Sequence, residues 1–178
     1  GSHFLSFFGR NSVHSNLRLN IIKSFDTLYK INPNYKFLYG ECSWPNGGNF
    51  WPHYTHKNGL VVDFMVPVIS KKTNKNIYPP TYLFNRWGYA FEFDSLGETS
   101  KYKIDFEAMA AHLYFLDFYG KKNGFGIKRI IFEIDYLPYL YNGKYGKLIK
   151  DKFLIIYKKN WVRHDDHYHV EFFGEEKS

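Results

Sequence analysis

Two short stretches of this 178-residue chain concentrate the side chains that metals and protons use. Residues 163–173 read RHDDHYHVEFF, so three of the eight histidines, His164, His167 and His169, fall within six positions, beside Asp165 and Asp166. Residues 168–173 read as a strand. Residues two apart on a strand share a face, so His167, His169 and Glu171 are expected on one side, with Tyr168, Val170 and Phe172 on the other. Two imidazoles side by side can serve one metal, or one can bind it while the other transfers protons. Carboxylates in the turn ahead can orient a ligating histidine through its other ring nitrogen. The plainer reading is a polar edge strand carrying surface histidines.

The second stretch is PHYTHKNGLVVDFMVP, with His53, His56 and Asp63. Asp63 falls in the middle of an apolar strand, where a carboxylate is costly to bury unless it is paired or bound to a metal. Lys57-Asn58-Gly59 is a turn signal that can carry His56 back toward that strand. The plainer reading is an aspartate on a solvated sheet face and a surface histidine. Taken together, the stretches supply His, Asp and His with a further imidazole adjacent. Hard oxygen and imidazole nitrogen suit zinc, and three protein ligands leave a fourth position for water. Zinc lowers the pKa of such a water to about 7 and polarises a carbonyl. A neighbouring histidine then moves protons or stabilises the oxyanion. That chemistry is amide hydrolysis.

Several elements must position these groups. Leu17, Ile21, Phe25, Leu28 and Tyr29 recur at helical spacing over 16–29, and Asn32-Pro33-Asn34 stops that helix. Residues 36–39 read as a short strand, 41–54 as a loop broken by Pro and Gly, 60–66 as an apolar strand and 71–82 as loop. Phe106, Met109, Ala110, Leu113 and Leu116 mark an amphipathic helix over 104–119, ended by Asn123-Gly124. Residues 128–134 alternate as a strand. Helices and strands are interspersed without a regular βαβ rhythm. The expectation is α+β: a central, largely antiparallel β-sheet flanked by helices, with the zinc site in a surface cleft.

Composition sets outer bounds. The chain is 44% hydrophobic and 21% aromatic, which excludes a disordered segment. Its net charge of +7 and pI near 9.3 suit an anionic partner such as nucleic acid, a membrane surface or an acidic cell-wall polymer. The single cysteine, Cys42, excludes an intrachain disulfide and a zinc ribbon, and it reads as a buried small residue rather than a ligand. No apolar run approaches the ~20 residues of a membrane span. Gly1-Ser2-His3 reads as a tag remnant, so a native leader or anchor is expected to lie outside this sequence. His14 and His112 read as ordinary, partly exposed histidines, and Lys144 to Lys152 as a solvated face. Trp44, Phe50, Trp51 and Tyr54 read equally as a cleft wall or as loop anchors. Arg86, beside Trp87, is a candidate for a substrate carboxylate.

The blocks GECSWPNGGNFWPHYTHKNGLVVD and HDDHYHV, with an opening FFGRNSVHSNLRL, resemble the penicillin-insensitive murein endopeptidases. That family is similar to the lysostaphin-type and D-Ala-D-Ala metallopeptidases and to the hedgehog signalling domain. The resemblance implies one metallopeptidase domain over 4–178. It implies zinc held by His56, Asp63 and His169, with His167 as the catalytic histidine and His164 as an active-site helper. His53 is implied to line the cleft and contact substrate. It also implies a periplasmic or cell-envelope location and peptidoglycan as the partner. The activity implied is hydrolysis of D,D or L,D cross-links to diaminopimelate by zinc-activated water. No nucleic acid partner or stable membrane insertion is implied, and secretion-system or cell-wall machinery are candidate partners. The chain departs from the pattern at Val61, where the family has Asp, at Glu41 for Asp, and at Thr55 for Ser. Two other functions fit parts of the sequence. One is a cell-wall-binding domain that does not cut. The other is a metal-dependent nuclease, which the basic charge permits but which lacks the paired acids that hold magnesium.

Overall fold

The computed structural model describes residues 12–44, 48, 59–80, 92–156 and 165–174. In chain order these form α1 (Ser15–Ile31), β1 (Val61–Met65), β2 (Val68–Ser70), β3 (Lys75–Ile77) and β4 (Tyr102–Ile104). Then come α2 (Phe106–Lys122), β5 (Ile127–Ile131), a 3-10 turn (Ile134–Tyr136), α3 (Leu137–Leu140) and α4 (Lys144–Ile149). The last two strands are β6 (Leu154–Ile156) and β7 (His167–Phe172). Among the described residues the architecture is mixed α+β, with antiparallel-rich sheets flanked by helices.

Two sheets are present among the described residues. The larger has the order β1-β7-β5-β6, antiparallel except for the β5–β6 pair. The smaller, β3-β2-β4, is wholly antiparallel. β7 therefore lies inside the larger sheet, with ladders on both sides, and the reading of an edge strand is overturned. One face of that sheet packs on α2. Val62, Phe64, Tyr168, Val170, Ile130 and Phe132 from the strands share one buried cluster with Met109, Leu113 and Leu116 of the helix. Burial of these side chains is the main stabilising term, each contributing about 1.5–3 kcal/mol.

Local chemistry explains the boundaries. Asp105 caps α2 by accepting from the Ala108 N–H at 3.0 Å, so the helix starts at Phe106 and residues 102–104 become β4. Gly124, at φ +79°, ends α2 where Asn123-Gly124 was expected to stop it. α1 ends at Asn32, whose N–H donates to the Leu28 carbonyl. Leu17 and Leu28 are buried as the spacing predicts, but Tyr29 is exposed, and Asn20 and Ser24 are buried instead. Asn20 and Thr27 face α2: Asn20 accepts from Asn123, and Thr27 bonds the Tyr119 hydroxyl, while Ser24 donates to the Ile21 carbonyl of its own helix.

Three expectations fail in part. Residues 36–39 make no regular strand. The carbonyls of Leu38 and Glu41, three residues apart, take the N–H groups of Met65 and Asp63, two apart, so the pairing bulges and only a Tyr39–Phe64 bridge remains. Residues 71–82 are not all loop, because Asn74 at φ +51° turns the chain back and β3 pairs with β2. The expected strand over 128–134 stops at Ile131. The Lys144 to Lys152 run contains α4, whose lysines are exposed while Gly146 and Ile149 are buried.

Candidate functional site

The antiparallel register sets Asp63 directly opposite His169, Met65 opposite His167 and Val61 opposite Glu171. On the other flank of β7, Arg129 is opposite Glu171 and Ile131 is opposite His169. Directly opposed residues point to the same face. Asp63, His167, His169, Glu171 and Arg129 are thereby gathered on the face of the sheet away from α2. The alternation expected for β7 holds, since Tyr168, Val170 and Phe172 enter the hydrophobic core.

This face is not solvated. Asp63 is 1% exposed, His167 and His169 are each 5% exposed, and Glu171 is 7% exposed. Buried ionisable groups require partners. Asp63 Oδ1 lies 2.8 Å from His169 Nδ1, and Asp166 Oδ1 lies 2.5 Å from His167 Nδ1. Arg129 Nη2 donates to Glu171 Oε1 at 2.7 Å, and that same oxygen is 3.6 Å from His169 Nε2.

These contacts set the charge states of the metal-free protein. Burial opposes a charged His169, but the hydrogen bonds and charges of Asp63 and Glu171 outweigh it and lift its pKa to about 9. His167 is raised in the same way, burial being outweighed by the Asp166 hydrogen bond and the Asp63 charge. Burial of Glu171 is outweighed by His169 and Arg129, which hold its pKa down at about 2.

The carboxylates of the turn divide their work. Asp166 orients His167, and its carbonyl accepts from the Val66 N–H at 3.0 Å. The Asp165 carboxylate instead accepts from the Phe93 N–H, which fixes the turn to the neighbouring chain. Glu41 and Cys42 lie next to Asp63, and the Asp63 N–H donates to the Glu41 carbonyl at 2.9 Å. Burial pushes the Cys42 thiol well above its ordinary range, helped by the negative charges of Asp63 and Glu41, so it is a protonated core residue. His14 is half-buried and caps α1 through Nδ1. His112, expected to be partly exposed, is fully buried in α2. Its Nδ1 bonds the Tyr168 hydroxyl at 2.7 Å, its ring stacks on Phe25 at 4.7 Å, and burial lowers its pKa to about 3.

Of the six expected site residues, three are described and lie together: Asp63, His167 and His169. His53, His56 and His164 lie outside the described residues, as do Phe50, Trp51, Tyr54, Arg86 and Trp87. Among the described residues no group of three His, Cys, Asp or Glu side chains is placed to hold a metal. The pair that is described has donor chemistry suited to zinc. Two donors on one tetrahedral zinc lie roughly 3.3 Å apart, given bonds of about 2.0–2.2 Å. The Asp63–His169 pair, hydrogen-bonded at 2.8 Å, is within a small opening of that spacing. Arg129 had no assigned role in the sequence. A cation within the apolar run IKRII was its only signal, and its partner emerges from the β5–β7 register.

Compared with known proteins, the chain matches no family model and no curated protein.

Proposed function

We propose that this chain is a zinc-dependent peptidoglycan endopeptidase that hydrolyses peptide cross-links in the cell envelope. The observation that carries the reading is the buried Asp63–His169 pair, with His167 one strand row away on the same face. Burying this many ionisable groups costs stability, which is a reason to look for function there. Asp63 and His169 would hold zinc together with His56. When bound, zinc supplies Lewis acidity, lowering the pKa of a water and polarising the scissile carbonyl.

The rest of the work falls to the chain. Asp166 ties down Nδ1 of His167, so proton exchange with substrate is assigned to Nε2. His164 is assigned to stabilise the developing oxyanion and His53 to contact substrate. The sheet supplies rigidity, because both described donors sit on strands with neighbours on either side.

The test is digestion of purified sacculi and of defined cross-linked muropeptides, read by chromatography and mass spectrometry, wild type against His167→Ala. Release of monomeric muropeptides by the wild type alone is expected. Binding to sacculi without new products would instead mark a non-cutting wall-binding domain. Cleavage of DNA or RNA that His167→Ala abolishes would mark a nuclease.

A further inference from the structure

The His169 imidazole is held between two carboxylates, one at each ring nitrogen. Asp63 Oδ1 is 2.8 Å from Nδ1, and Glu171 Oε1 is 3.6 Å from Nε2. The two are not equivalent. Glu171 Oε1 already accepts from the Arg129 guanidinium at 2.7 Å, and β5 fixes that cation directly opposite Glu171. A permanent positive charge there repels a dication and occupies the oxygen a metal would use. The Asp63 side differs in sign: Asp63 is itself a carboxylate, and Glu41, in the segment that pairs with β1, acts with it as a negative charge on Cys42. A metal on His169 is therefore favoured at Nδ1, and Glu171 is left to the second nitrogen.

A neutral imidazole carries one N–H and one lone pair, and an acceptor at one nitrogen directs the lone pair to the other. We propose that Glu171, braced by Arg129, is a positioning residue that accepts the His169 Nε2–H and so commits Nδ1 to a metal shared with Asp63. The present 3.6 Å gap is just beyond a direct hydrogen bond. A ring that yields roughly half an ångström on the Asp63 side, to reach zinc-ligand spacing, closes it. This inference rests on the zinc reading above.

The test uses metal-stripped protein at one fixed pH, with zinc affinity measured by competition against a chromophoric chelator. E171M is expected to weaken zinc roughly 10–100-fold, the usual loss for an outer-shell carboxylate. E171Q keeps an acceptor oxygen and should recover most of that loss. E171M leaves a half-buried guanidinium without its carboxylate, so the double variant R129M/E171M is the control for folding, and it should lose zinc affinity as E171M does. In the zinc-loaded wild type, long-range nitrogen–proton NMR should place the ring proton of His169 on Nε2. Wild-type affinity in R129M/E171M, or a proton on Nδ1, overturns the inference while leaving the metal site in place. A wild type that binds no zinc overturns the metal reading itself, and the inference with it.

Discussion

Asp63 and His169, 106 residues apart in sequence, are cross-strand partners whose side chains meet at 2.8 Å in a buried site. Each explains the other: the carboxylate gives the imidazole a place to put its proton, and the imidazole offsets a charge inside an apolar strand. Asp63→Ala should abolish measurable zinc uptake, a larger loss than the roughly 10–100-fold cost of an outer-shell partner. It should also destabilise the metal-free protein by about 3–5 kcal/mol, since a broken buried pair leaves an uncompensated group. Calorimetric zinc titration and urea unfolding of the same samples check both. Unchanged zinc binding would remove Asp63 from the ligand set.

His167→Ala should separate metal from chemistry. Zinc content should stay near wild type, while muropeptide release falls by roughly 10²–10⁴-fold, the range for loss of a general acid or base. Metal analysis beside the digestion assay reads the two separately. Loss of zinc together with activity would make His167 a ligand.

Chelation gives an independent check. Treatment with a strong zinc chelator should stop muropeptide release, and re-addition of about one equivalent of zinc should restore it. Activity that persists in metal-free buffer with full chelator present is incompatible with the proposed function.

His112 predicts an acid limb in stability. Its neighbours are Tyr168, through the hydrogen bond, and the rings of Phe25, Phe37 and Phe64. None of them is an acid that would stabilise a charged imidazole. With its pKa lowered to about 3 in the fold, it must stay neutral there, whereas the unfolded chain protonates it near 6.5. The unfolded state then binds more protons between those values, so stability is fully present above about 6.5 and is lost as pH falls toward 3. The loss by pH 5 is about 2 kcal/mol at 1.36 kcal/mol per unit. His112→Asn should flatten the slope of unfolding free energy between pH 6.5 and 5, whatever it does to the plateau. Parallel slopes in the two proteins would contradict this.

Two glycines at similar backbone angles should respond differently to alanine. A Cβ on Gly59, at φ +73°, would meet the His14 backbone nitrogen at 2.7 Å, while one on Gly124, at φ +79°, would meet open space. Gly124→Ala carries only the left-handed backbone cost, about 1 kcal/mol. Gly59→Ala adds a clash with backbone and should cost about 1–3 kcal/mol in all. Urea midpoints of the two variants decide it, and equal losses would refute the steric part.

The two long helices and the strands β1, β5 and β7 were legible in the sequence because each carries its own pattern. The face assignment of His167, His169 and Glu171 was legible for the same reason. Elements held by partners rather than by pattern were not. β3 is three residues of Lys, Asn and Ile that pair only because Asn74 turns the chain, and the β5–β6 crossover hides α4 in a lysine-rich run. Burial of His112 was missed because helical spacing shows a stripe, whereas the first half of α2 is covered almost all round. The roles of Arg129 and of Asp165 against Asp166 depend on register and turn geometry, which no single-strand pattern encodes.

The strict alternation of β7 has one more consequence. A strand shifted by a single residue would turn both histidines and Glu171 into the packed layer beneath α2 and put Tyr168, Val170 and Phe172 on the polar side. Such a slip would bury every one of those charges without a partner, so the polar side chains penalise it heavily. A one-residue slip denies Asp63 an imidazole, so any ion captured by the Asp63–His169 pair would favour the aligned chain over that rival.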